Sequence, residues 1–279
     1  MLPLVTSPLQ ARMHAALAAG QHTLECSLDL GRSSSRVELG ADGWCWRDLR
    51  YPWIEPCRER TIYHPVRHDG GALAFMPVVR YSGSLLKLVP TEWGPPTFEI
   101  DGIKMLPTAR ISPWEDAGRK VALVRPLGRR ILDTCGGLGY FAARALEAGA
   151  ACVQSFEKNP DVIWLRSLNP WSPTAAGDQR LLLECADVTT RLAAFDDRSF
   201  DAILHDPPRF GIAGELYSSE FYATLARLLV PAGRLFHYTG TPNRLTTGRD
   251  LPREVAKRLS RVGFEARLHG DGVLAVRRG

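Results

Sequence analysis

Apolar and polar positions follow two different rhythms along the chain. In the first third, short apolar stretches are broken by Gly, Pro and Ser. LECSLDL, SRVELG, GWCWRDL, ALAFMPVVRY and SLLKLVP each predict a strand, the last two joined at Ser82-Gly83 as a hairpin. Ahead of them, Leu9, Met13, Ala16 and Leu17 recur at helical spacing and predict an amphipathic helix over roughly residues 7 to 20. From residue 107 the rhythm becomes strand, loop, helix, repeated. RRILDTC, CVQSFE, RLLLECAD, FDAILHD and RLFHYTG predict buried strands, and FEARLHG with GVLAVRR predicts a closing hairpin. Between the strands, YFAARALEAGA (ended by Gly149), NPDVIWLRSLN, SSEFYATLARLL (capped by Ser218 or Ser219) and LPREVAKRLSRVG predict helices.

Strands alternating with helices build a mostly parallel sheet covered on both faces, and in such sheets ligands bind just outside the carboxyl ends of the strands. The expected fold class is therefore α/β, a Rossmann-like sheet preceded by a small β-rich domain. Three segments follow: residues 1–20 as a helix that acts as a lid or packs as ordinary structure, 21–106 as the β-rich domain, and 107–279 as the ligand-binding domain. The boundary is placed in TEWGPPTFEIDGIKMLPT, which carries three prolines and two glycines.

Composition narrows the classes. With 279 residues, 45% hydrophobic, the chain has material for a sizeable core and is neither a disordered tail nor a small disulfide scaffold. No run reaches the ~20 apolar residues of a membrane span, and MLPLVTSPLQARMHAALAAG has no basic stretch before an apolar one. A cytoplasmic protein with no membrane partner is expected. The formal charge of +5 lies wholly beyond residue 106, scattered among acids, so nucleic acid is a disfavoured partner. Six dispersed cysteines suit reduced thiols. Cys57, His64 and His68 lack the second closely spaced cysteine of a zinc site, so no metal is expected.

The chemistry is sought at the predicted strand ends, and an acid ends each of four: Asp133, Glu157, Asp187 and Asp206. The loop Cys135-Gly136-Gly137-Leu138-Gly139 follows the first, and Gly137-Leu138-Gly139-Tyr140-Phe141-Ala142 fits a dinucleotide fingerprint. Asp133 ahead of those glycines argues against a pyrophosphate, which wants backbone donors and positive potential. An acid there suits a cationic ligand such as S-adenosylmethionine, which has an ammonium and a sulfonium and no phosphate. Glu157 is then the acceptor for both ribose hydroxyls and Asp187 for the adenine amine, with Lys158 and Val188 beside them.

Over residues 107 to 279 the sequence resembles the class I S-adenosylmethionine-dependent methyltransferases, through ILDTCGGLG, Glu157, Asp187, HDPPRF and LVPAGRLFHYTG. More narrowly, EIDGIKM, ILDTCGGLGY, NPWS, HDPPRF, AGELYSSEFY and FHYTG resemble a family of predicted methyltransferases best known from archaea, to which bacterial azetidine-2-carboxylate synthases are similar. The resemblance implies binding of S-adenosylmethionine by Asp133, Cys135, Gly137, Gly139, Tyr140, Glu157, Lys158, Asp187, Val188, Asp206 and Pro207, without a metal. Two departures stand out. Cys135 replaces the first glycine of the usual loop, and Arg209 separates the prolines from the aromatic Phe210.

Two reactions stay open: methyl transfer to a small molecule or RNA, and attack of the ligand's own amino nitrogen on the methionine γ-carbon. The second gives azetidine-2-carboxylate and 5′-methylthioadenosine. It needs a neutral amine, a carboxylate to take the proton and aromatic faces to hold the sulfonium. Asp206 is the expected proton acceptor and Tyr217 its catalytic companion, with Trp171, Phe210 and Tyr222 as pocket aromatics. His205 is expected to point away from Asp206 as a buried or positioning residue. A non-catalytic binder on the same fold would leave HDPP and its aromatics without a task.

Overall fold

The computed structural model describes residues 2–68, 71–240 and 250–279. The chain divides into two compact units, Met1–Pro113 with Trp164–Trp171, and Trp114–Ile163 with Ser172–Gly279.

In the first unit, β1 (Val5–Thr6) leads into α1 (Ser7–Ala18), followed by β2 (Thr23–Cys26), β3 (Ser35–Gly40), β4 (Gly43–Trp46), β5 (Leu49–Pro52), β6 (Ile62–Arg67), β7 (Leu73–Pro77), β8 (Val79–Tyr81), β9 (Leu85–Val89), β10 (Thr97–Ile100) and β11 (Ile103–Lys104). They form sheets ordered β2-β3-β4-β5, β1-β6-β7 and β11-β10-β9-β8. Three sequence expectations are corrected. GWCWRDL is two strands, because Arg47 and Asp48 both take positive φ (51° and 61°) and turn the chain back on itself. ALAFMPVVRY breaks at Val78, whose N–H goes to Ile62 and whose carbonyl takes Leu88, so its halves serve different sheets. The proline- and glycine-rich stretch read as a boundary holds the β10–β11 hairpin.

IYHPVR carries no strand signal because of Pro65, yet it forms β6. Only Ile62 and Tyr63 pair with β1, so at Pro65 the strand has β7 on one side alone and the missing N–H costs no bond. The opening helix packs on its own unit, as one of the two alternatives has it. Leu9, Met13 and Ala16 are buried in the same core as Trp44 and Tyr51, while Gln10 donates to the Ile54 carbonyl and accepts from its N–H, both at 2.9 Å. A helix held by a reciprocal amide pair and a core face is structural.

The second unit contains α2 (Pro113–Leu123), β12 (Arg130–Asp133), α3 (Tyr140–Glu147), β13 (Cys152–Glu157), α4 (Pro160–Leu168), β14 (Leu181–Cys185), α5 (Val188–Arg191), β15 (Phe200–His205), α6 (Ser219–Leu228), β16 (Leu229–Tyr238), α7 (Leu251–Arg261), β17 (Phe264–His269) and β18 (Gly272–Arg277). Both ends of α4 fall where NPDVIWLRSLN predicts them, although Trp164–Leu168 belong to the first unit. The sheet order is β14-β13-β12-β15-β16-β18-β17, parallel except for β18, which runs antiparallel to both neighbours. Parallel strands are covered on both faces, and Ile131-Leu132 and Ala202-Ile203-Leu204 are accordingly buried without alternation. Ser218 caps α6 by accepting from Phe221 N–H, and Gly149 takes φ +84° just past α3. This arrangement sets Asp133, Glu157, His205 and Tyr238 at or beside the carboxyl ends of four adjacent parallel strands.

Candidate active site

The loop after β12 is tied to its neighbours by backbone bonds. Gly136 N–H reaches the Phe156 carbonyl at 2.7 Å, Gly139 N–H reaches Gly136 at 2.7 Å, and Gly137 and Gly139 take φ of 51° and 82°. Those two conformations favour glycine. Cys135 does not need positive φ, so standing where the usual glycine loop has its first glycine costs no backbone strain. Burial pushes its thiol well above the ordinary range, with Glu157, Asp133 and Asp206 adding to the effect, which disfavours the nucleophilic thiolate. Tyr140 opens α3, buried edge-on against Trp114 at 5.7 Å.

Glu157 is fixed by two backbone donors, Gly137 N–H on one oxygen at 2.9 Å and Asn159 N–H on the other at 2.8 Å. A carboxylate held in place by backbone donors is the kind of acceptor that a vicinal diol requires. Asp187 caps α5: one oxygen accepts from Thr189 N–H and Oγ1, and the other meets Lys158 at 2.7 Å. These bonds outweigh desolvation and hold its carboxyl below the usual range, and one acceptor position remains for an amine. Val188 is buried at the start of that helix.

Asp133 is fully buried and accepts from Ser155 Oγ at 2.8 Å. Asp206 follows β15 and is half-buried, and Pro207 behind it is buried. Loss of water around its carboxylate, with Asp116, Asp133 and Asp271 nearby, outweighs the attraction of Lys120 and pushes its pKa up to about 7.

One aromatic expectation is corrected and another is refined. Tyr222 is fully enclosed in the core and its hydroxyl donates to His237 Nε2 at 2.8 Å, so it lines no pocket. Trp171 belongs to the first unit, where its indole N–H donates to the Leu30 carbonyl at 3.0 Å and Arg32 sits over its ring. Tyr217 is almost wholly buried, donates to the Pro208 carbonyl at 3.0 Å and has its pKa raised by burial. It braces the HDPP turn. Phe210 packs edge-on against it at 5.4 Å, with Arg258 above the ring.

Beneath Asp206 lies a pair of histidines, of which His237 had no sequence signal. His205 Nε2 lies 3.1 Å from the Leu216 carbonyl, which can only accept, so Nδ1 accepts from Thr134 Oγ1 at 2.7 Å. His237 Nδ1 donates to the Tyr238 carbonyl at 2.7 Å by the same logic. The rings sit 4.4 Å apart, and burial lowers His205 to about 4, so both are neutral spacers that join the ends of β12, β15 and β16. Sequence reasoning also missed α2, which brings Lys120 and Asp116 to this end of the sheet. Its signal was present in Ser112-Pro113 with Glu115 and Asp116 in the first turn. Among the described residues, no group of three His, Cys, Asp or Glu side chains is arranged to hold a metal, and no helix is long and apolar enough to cross a membrane.

The chain matches no protein-family model. It is 46% identical over 181 residues to an uncharacterised protein of Methanocaldococcus jannaschii, covering 64% of this chain and 61% of that protein. It is 34% identical over 142 residues to polyamine aminopropyltransferase 2 of Streptomyces coelicolor, covering 47% and 26%. The chain thus spans about three fifths of the first relative and about a quarter of the second. Among solved structures, a spermidine synthase in complex with the transition-state analogue AdoDATO aligns with TM-score 0.59 at 18% identity, over 81% of this chain and 84% of that one. The spermidine synthase of Thermotoga maritima aligns with TM-score 0.54 at 18% identity over the same shares. With the strand order above, these likenesses show an α/β fold shared with the spermidine synthases, with β-rich sheets preceding it in the sequence.

Proposed function

We propose that this chain is an enzyme acting on S-adenosylmethionine at the methionine γ-carbon, closing the substrate's own amino nitrogen onto that carbon to give azetidine-2-carboxylate and 5′-methylthioadenosine. The observation that carries the reading is Asp206, a half-buried carboxylate after β15 whose pKa of about 7 suits a proton acceptor at neutral pH. The nitrogen–carbon bond forms as the carbon–sulfur bond breaks. The electron pair goes to sulfur, leaving a neutral thioether, and the amine proton passes to Asp206.

The other residues bind and exclude. Glu157 accepts from the ribose diol, Asp187 gives its last acceptor position to the adenine amine, and the Gly137–Gly139 backbone allows close approach. Asp133 adds negative potential toward a ligand carrying ammonium and sulfonium. Reaction at the γ-carbon is supported by the name of the Streptomyces relative, since an aminopropyl group on a sulfonium is attached through that same carbon. A small molecule is the only partner this reaction requires.

The test is to incubate the full-length protein with S-adenosylmethionine alone and identify products by mass spectrometry against a no-enzyme control. Methylthioadenosine with an equal amount of azetidine-2-carboxylate is expected. Substrate that binds and stays intact would refute the cyclisation and point to a methyltransferase awaiting its acceptor.

A further inference from the structure

Lys120 leaves α2 and buries its ammonium, with 4% of the residue exposed, among acids and aromatic rings at the carboxyl end of the sheet. Its Nζ lies 2.7 Å from Asp116 and 3.7 Å from Asp271. It also sits 4.0 Å from the centre of the Tyr238 ring and 5.9 Å from that of Phe141. Desolvation disfavours the charge, but Asp206, Asp116 and Asp271 together more than restore it. Carboxylates around an aromatic face are the chemistry that binds a primary ammonium from solution. Stability alone gives no reason to keep it, since a buried ion pair is commonly no better than apolar packing of the same volume. Asp206, the proton acceptor proposed above, is among the acids whose charge favours the ammonium, and the carboxyl end of the sheet is where an external amine nucleophile would have to stand.

We infer that Lys120 is a specificity-determining residue: its ammonium fills the place of an acceptor amine, so that the only nucleophile admitted is the substrate's own amino group. The inference rests on the γ-carbon reading. With the place vacated, an external primary amine in its neutral form attacks the γ-carbon. The nitrogen–carbon bond forms, the carbon–sulfur bond breaks with its electron pair going to sulfur, and the proton passes to Asp206. The products are methylthioadenosine and the N-alkylated 2,4-diaminobutyrate.

The probe is n-propylamine, whose atoms match those that Lys120→Ala removes beyond Cβ. Thermal melts of the full chain with and without about 10 mM n-propylamine read binding independently of turnover. A rise in Tm of about 5 °C is expected for Lys120→Ala, with under about 1 °C for the wild type and for n-propanol. Lys120→Ala/Asp271→Asn, which carries one fewer uncompensated carboxylate, is measured alongside in case the single variant does not fold. It is expected to respond in the same way. Incubation of the responding variant with S-adenosylmethionine and n-propylamine is expected to yield the N-propyl adduct. Absence of an amine-dependent rise in both variants overturns the inference, as does a rise without adduct while methylthioadenosine still forms. A wild type that leaves S-adenosylmethionine intact refutes the γ-carbon reading instead, and the melts then still report whether Lys120 occupies an amine site.

Discussion

Asp206→Asn separates the electrostatic reading of the site from its geometry, because the amide keeps the shape and cannot ionise. In the folded chain the Asp206 pKa is about 7 against an ordinary value of 3.8. The folded value is the higher one, so between about pH 4 and pH 7 the folded state holds a proton that the unfolded chain has released. This group's stabilising contribution is therefore full below about pH 4 and is lost as pH rises through about 7. From pH 5 upward, roughly two units of that window remain, worth about 2.7 kcal/mol at 1.36 kcal/mol per unit. Residual contact of the half-buried carboxylate with water reduces this to about 1–2 kcal/mol. In a unit of this size, that corresponds to a Tm change of roughly 3–6 °C. Thermal melts of wild type and Asp206→Asn at pH 5 and pH 8.5 isolate it, since every other titrating group is common to both proteins. The variant is expected to gain roughly 3–6 °C on the wild type between the two pH values. A Tm difference that does not change with pH, or that moves the other way, refutes the raised pKa and with it the case for Asp206 as the proton acceptor.

Glu157→Gln replaces a carboxylate that accepts backbone N–H groups at both oxygens with an amide that accepts at one, so binding of S-adenosylmethionine by calorimetry is expected to weaken roughly 10- to 100-fold, the scale of about 1.5–3 kcal/mol for hydrogen bonds to a charged group. Tyr222→Phe removes the donor to His237 Nε2 inside the core. A loss of about 1–3 kcal/mol by denaturant unfolding is expected, with the KM for S-adenosylmethionine unchanged because the ring lines no pocket.

The second half of the chain was legible because parallel strands and their helices advertise themselves locally. CVQSFE runs from the first to the last residue of β13, and the α6 cap is the Ser218 that the sequence offers. The acids at strand ends were equally visible, since position alone fixes which end of a parallel strand faces a ligand. The β-rich unit was harder because its strands are short and its pairings non-local. Pro65 hides β6 only until one knows that β1 stops pairing two residues earlier, and the Pro77–Val78 switch between sheets has no local marker. Periodicity assigned Tyr222 and Tyr217 to a helix and its approach, but burial and hydroxyl partners depend on what packs against them.

The same distinction explains why the histidine pair and Lys120 were out of reach. A buried histidine is neutral or charged, idle or catalytic, according to its two hydrogen bonds. For His205 and His237 these come from Leu216, Thr134, Tyr222 and Tyr238, on the β12 loop, the approach to α6, α6 itself and the end of β16. Lys120 looks in sequence like the basic end of a helix that began with Glu115 and Asp116, a pattern that commonly means no more than a surface ion pair. Folding gives the ammonium a different setting by bringing the β16 end and the β17–β18 turn against it. The i,i+4 partner Asp116 then becomes one acid among several, and the ring of Tyr238 closes over the charge. An ammonium kept out of water at the carboxyl end of the sheet is a costly feature, and its position favours control over which amine reaches the γ-carbon rather than support of α2.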